Sequence, residues 1–106
     1  TRSGATLSTD HNYINLQEYK FDDFARFLVN CTKYFRGLGY DVNYISPINE
    51  PNVEWHTNAF QEGSFATKSD IYRLVAELDK VIEEEQVETK ILIPELGELK
   101  YLFEPW

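Results

Sequence analysis

Tyr44-Ile45-Ser46-Pro47-Ile48-Asn49-Glu50-Pro51 is the stretch on which the reading of this chain turns. The residues leading into it, Asp41-Val42-Asn43-Tyr44-Ile45, are β-branched and aromatic enough to predict a short buried strand over about 41–48. Asn49 and Glu50 then stand at its carboxyl end, and Pro51 follows at once. Proline has no N–H to give a sheet ladder, so pairing stops there. Ligands of parallel α/β folds bind outside the carboxyl ends of the strands. A carboxylate there with an amide beside it is a candidate catalytic acid.

Working outward, the flanks supply helices and a second strand. Before the stretch, Phe21, Phe24, Leu28, Cys31, Phe35 and Leu38 recur at three- and four-residue steps. They predict a helix over about 21–38 with one apolar stripe. Asp22 and Asp23 suit its positive end, Lys33 and Arg36 its negative end, and Gly37 and Gly39 its stop. After the stretch, a long loop over 49–68 is of the length that often carries function. Ile71, Leu74, Val75, Leu78, Val81 and Ile82 predict a second helix over about 70–85. Ser69, or Thr67 with Asp70, would cap it. Glu83-Glu84-Glu85 reads as a solvated face. Lys90-Ile91-Leu92-Ile93, ending in Pro94-Glu95, predicts a second strand buried on both faces. Leu96 to Trp106 reads as a loop opening another helix. Residues 1–19 read as loop, with His11 and Tyr13 as exposed positions or sugar contacts. Helix, strand, loop, helix, strand is the alternation of parallel α/β units.

Composition narrows the function. A net charge of −8, from 10 basic and 18 acidic residues, excludes a nucleic-acid binder, whose surface must be basic. It disfavours an anionic membrane surface too, and no apolar run approaches the roughly 20 residues of a membrane span. Cys31 is the one cysteine, so no internal disulfide forms, and it reads as a packed core residue. The Asn30-Cys31-Thr32 sequon falls inside a predicted helix and reads as incidental. With two histidines far apart, no metal site or cofactor is expected. At 106 residues the chain makes one small domain. The absent initiator methionine and the Glu104-Pro105-Trp106 ending suit an excised segment.

Ser46-Pro47-Ile48-Asn49-Glu50-Pro51, followed by Trp55 and then Gln61-Glu62-Gly63, resembles glycoside hydrolase family 30. The endo-β-1,6-galactanase-like members are the most similar. The resemblance runs from Arg2 through Glu95 and is faintest after Gly97. It implies a retaining hydrolase of β-linked polysaccharide, secreted or periplasmic, built as a (β/α)8 TIM barrel. That barrel needs roughly 250 residues, so residues 1–106 would be a fragment running from about helix 3 to strand 5. Glu50 corresponds to the family's acid/base glutamate. Asn49 corresponds to its asparagine, which binds the sugar hydroxyl beside the reacting carbon. Gln61 and Glu62 match a cleft-shaping loop.

Each assignment has a plainer alternative. Glu50 also fits a surface or helix-starting glutamate, and Asn49 a turn residue before proline. Trp55 is a sugar platform or a ring packed over the barrel rim. His56, Phe60 and Phe65 read as packing for the long loop, and Glu62 fits equally a salt bridge to Lys68. Glu95 ends the neighbouring strand. Strands lie nearly 5 Å apart and retaining enzymes hold their carboxyls about 5–5.5 Å apart, so spacing alone makes Glu50 and Glu95 a candidate pair. The family pattern instead puts the nucleophile on a seventh strand, which has no counterpart in these residues. That leaves Glu95 as a candidate substrate-binding residue of the cleft, and the isolated chain inactive. The competing reading is a small non-catalytic α/β domain that binds carbohydrate or protein. Open sheet edges and apolar helix faces of a partial barrel predict self-association.

Overall fold

A computed structural model describes residues 16–52, 65–93, 95–97 and 99–103. The expectations for His11, Tyr13, Trp55, His56, Phe60, Gln61, Glu62 and Pro94 lie outside these described residues. A 3-10 turn, Glu18–Lys20, leads into helix α1, Phe21–Gly37. Strand β1, Tyr44–Ile45, helix α2, Lys68–Glu85, strand β2, Lys90–Ile91, and a 3-10 turn, Leu99–Leu102, follow. The sheet is parallel, with Tyr44 opposite Lys90 and Ile45 opposite Ile91. Among the described residues this is a small α/β arrangement of two α-helices and two parallel strands.

The chain divides into two compact units. One comprises Gln17–Pro47 and Tyr72–Ile93 and holds the sheet, α1 and most of α2. Its core is Ala25, Val29, Ile45, Leu78 and Val81, with Leu28, Ile82, Val87 and Ile91 packed against it. Both helices therefore cover the same face of the sheet, the face of Ile45 and Ile91. Tyr44, Leu92 and Ile93 are largely exposed. The two-sided burial expected of the second strand is thus corrected: Ile91 is half-buried, and Lys90, Leu92 and Ile93 are exposed. The strands are also shorter than expected. Lys90 N–H donates to Asn43 O and Leu92 N–H to Ile45 O, both at 2.9 Å, and Pro47 has no N–H with which to extend the ladder.

Helix α2 matches its expected stripe, with Ile71, Leu74, Leu78 and Val81 buried. Thr67 and Asp70 form a capping box. Asp70 N–H donates to Thr67 Oγ1 at 3.1 Å and Thr67 N–H to Asp70 Oδ2 at 3.0 Å. On α1 the inward face is different from the expected one. Phe21, Ala25, Val29 and Thr32 are buried, whereas Phe35 is 48% and Leu38 58% exposed. Cys31 is half-buried rather than a core residue. Small and β-branched side chains let α1 approach its partners beyond Phe21, and Phe27, Tyr34 and Phe35 turn outward. Thr32 Oγ1 donates to Leu28 O at 3.0 Å, so the sequon threonine spends its hydroxyl on the helix backbone.

The helices end alike. Tyr40 N–H reaches Phe35 O and Gly39 N–H reaches Arg36 O; Val87 N–H reaches Ile82 O and Gln86 N–H reaches Glu83 O. Both are Schellman closures, with Gly39 at φ 94° in one and Gln86 at φ 52° in the other. Glu84 and Glu85 do more than face solvent, pairing with Arg26 at 3.0 Å and Lys33 at 2.7 Å. The Lys33 hydrogen bond, then its charge, holds the Glu85 carboxyl below its ordinary range. The Asp23 carboxylate raises Lys20 in the same manner. Arg36 Nη1 donates to Val42 O at 3.1 Å and Glu88 O at 2.9 Å, bracing the segments that lead into β1 and β2.

Candidate functional site

The residues that follow the two strands belong to the second unit, which comprises Thr1–Leu16, Ile48–Ile71 and Pro94–Trp106. Within it the two strand-end glutamates are brought together through the backbone. Glu50 N–H donates to Glu95 O at 2.8 Å. Both glutamates are half-buried and Asn49 is exposed. Candidate proton donor, candidate sugar ligand and candidate cleft residue therefore share one short stretch of surface. Trp55 lies outside the described residues.

Glu50 has a backbone conformation that its sequence does not announce. Its φ is 45°, in the left-handed region, where an L-residue with a Cβ is disfavoured by about 1–2 kcal/mol. Such conformations persist where the surroundings fix them, and they cluster at functional sites. The surroundings here are Pro51, fully buried, and Asn52, 8% exposed. Ala66 N–H donates to Pro51 O at 3.0 Å and Gly97 N–H to Asn52 Oδ1 at 3.2 Å.

Asn52 is the residue that the sequence reading missed. Its Oδ1 accepts from a residue 45 positions away, and no local pattern signals such a bond. Among the described residues its Nδ2 is buried with no hydrogen-bond partner, a state that costs on the order of 1–3 kcal/mol. The bond from Gly97 N–H fixes which end of the amide is oxygen, because a flipped amide would set donor against donor.

Chemically, the arrangement offers a carboxyl group able to give and take a proton, with an amide next to it in sequence for a hydroxyl. Among the described residues no group of three or more His, Cys, Asp or Glu is arranged to hold a metal, and no helix is long and apolar enough to cross a membrane. A groove of about 460 Å³ lies at the other ends of the strands, lined by residues including Arg36, Asn43, Tyr44, Thr89 and Lys90. Ligand sites of parallel α/β folds lie at the carboxyl ends, and Arg36 is already committed to two carbonyls there, so the groove reads as part of the scaffold.

Comparison with known proteins adds the family. No curated protein matches the chain. A solved structure described as a conserved exported protein from Bacteroides fragilis is similar to it, at 67% sequence identity and a TM-score of 0.86. The match covers 98% of this chain and 21% of that one, so the chain spans about a fifth of the length of that relative. The family model for O-glycosyl hydrolase family 30 matches residues 1–105. By that match, which takes in the Ser46–Pro51 stretch and both strand-end glutamates, the chain belongs to glycosyl hydrolase family 30.

Proposed function

We propose that residues 1–106 are a central piece of the catalytic (β/α)8 barrel of a retaining glycoside hydrolase that cleaves β-linked polysaccharide, β-1,6-galactan being the favoured substrate. Glu50 is the acid/base. In the first step its carboxyl proton passes to the glycosidic oxygen as a nucleophile attacks the anomeric carbon. In the second its carboxylate takes a proton from the water that releases the sugar from the enzyme. Asn49 holds the hydroxyl next to the reacting carbon, Trp55 offers a stacking face, and Glu95 lines the cleft. The nucleophile comes from a later strand outside these residues. The exported relative supports a secreted or periplasmic location.

The observation that carries this reading is the place of Glu50 within a chain matched to family 30 over residues 1–105. The test uses a complete hydrolase: the polypeptide that carries these residues, or the Bacteroides fragilis protein with residues 1–106 grafted over its matching segment. Glu50→Gln is expected to lower kcat on β-linked galactan by roughly 10²–10⁴-fold, the usual worth of general acid–base catalysis. External azide, which needs no general base, should rescue the variant on activated aryl glycosides. Wild-type turnover by Glu50→Gln would sink the reading. Turnover by the isolated 106-residue chain would remove the need for an outside nucleophile.

A further inference from the structure

Three consecutive residues at the proposed acid/base are each tied to a different distant residue. Glu50 is bonded to Glu95, Pro51 to Ala66 and Asn52 to Gly97. The first two bonds are backbone to backbone, available to many sequences. The third needs a side chain of one length with an acceptor at its end. Asn52 and Glu50 thus grip the same short segment, Glu95 to Gly97, through bonds that run in opposite directions. Such a two-point grip fixes both position and rotation of the peptide between them, and that peptide includes Glu50 at φ 45°.

The chemistry of the grip is specific as well. A carboxylate at position 52 would accept the Gly97 N–H as well as an amide does. It would also leave no orphaned donor, whereas Asn52 keeps its Nδ2 buried and, among the described residues, unpartnered. A carboxylate would, however, bring a second negative charge close in sequence to Glu50. We propose that Asn52 is a positioning residue that locks the Glu50 tip onto the Glu95–Gly97 segment through Oδ1, with a neutral amide where a second carboxylate would otherwise stand. The inference rests on Glu50 being the acid/base.

The test is the pH dependence of kcat and KM in the complete hydrolase, with melting temperature measured alongside. Asn52→Ala loses the grip, and kcat should fall roughly 10- to 100-fold while KM stays within about threefold, as expected for a misplaced catalytic group. Asn52→Asp keeps the acceptor, so kcat at its optimum should stay within about tenfold of wild type. Its alkaline limb should move up by about half a pH unit or more, because a neighbouring carboxylate disfavours ionisation of Glu50. A wild-type pH profile in both variants overturns the proposal, and so does loss of the folded state in both, which would assign Asn52 to stability alone. If Glu50→Gln instead retains wild-type kcat, the acid/base reading has failed, and the Asn52 variants are not needed to show it.

Discussion

Glu50 and Glu95 look alike in the sequence and differ in the structure. Each closes a segment that follows a short parallel strand, and each is half-buried. The hydrogen bond between them makes Glu95 the acceptor and Glu50 the donor. Glu50 has a positive φ, and it is followed by a buried proline and a buried asparagine bonded to other segments. A strand-end acid is therefore a weak signature on its own. What marks one of the two is the backbone held around it, since a disfavoured conformation persists only where its surroundings over-determine it.

The contrast is broken most directly by kinetics. In the complete hydrolase the loss of roughly 10²–10⁴-fold in kcat expected for Glu50→Gln should have no counterpart in Glu95→Gln, which should act on KM; equal losses would make the two glutamates a working pair. Stability sharpens the comparison next. Glu50→Gly relieves the left-handed backbone and should raise unfolding stability by about 0.5–1 kcal/mol after the entropy of glycine is counted, while removing activity. Glu95→Gly, which adds the conformational entropy of glycine, should lower stability. Gln86 calibrates the effect away from any chemistry. Gln86→Gly should stabilise by about 0.5 kcal/mol, and Gly39→Ala, at the equivalent position of α1, should destabilise by about 1 kcal/mol, both read by denaturant midpoint.

The smallest effect concerns Glu85, a glutamate that only pairs. Its folded carboxyl titrates below its ordinary range because Lys33 bonds it. Its contribution is therefore present above the ordinary carboxylate pKa and fades as pH falls through the lower folded value. Both partners are solvent-exposed, so the contribution is slight. Glu85→Gln should flatten that part of the acid-unfolding curve and leave neutral-pH activity untouched.

Much of the scaffold is legible in the residues. The stripe of α2 is written in large aliphatics, and the Thr67–Asp70 cap and the Gly39 stop follow local rules of spacing. The inward face of α1 is only partly legible: Phe21 is buried as its stripe implies, but Phe35 and, just past the helix, Leu38 point outward, and the other buried positions are Ala25, Val29 and Thr32. Hydrophobic size draws the eye to the wrong side when close approach of helix to sheet selects small residues. At the candidate site, Asn49 and Glu50 are proposed from the strand-end pattern and the family motif. The φ of Glu50 and the role of Asn52 are not, since neither glycine nor a turn signal marks the first, and the second is a bond across 45 positions.

One guanidinium has a consequence for how this chain tolerates changes in length. Arg36 holds the carbonyls of Val42 and Glu88 with a single nitrogen, so two connectors far apart in sequence are measured against one rigid ruler. A residue inserted between Arg36 and Val42, or removed between Gln86 and Lys90, displaces one carbonyl from that ruler. Because strand side chains alternate with a period of two, the same slip would turn Ile45 or Ile91 away from the helices. The connectors on this side of the sheet are thus closed to insertion and deletion, and drift in loop length is left to the other side.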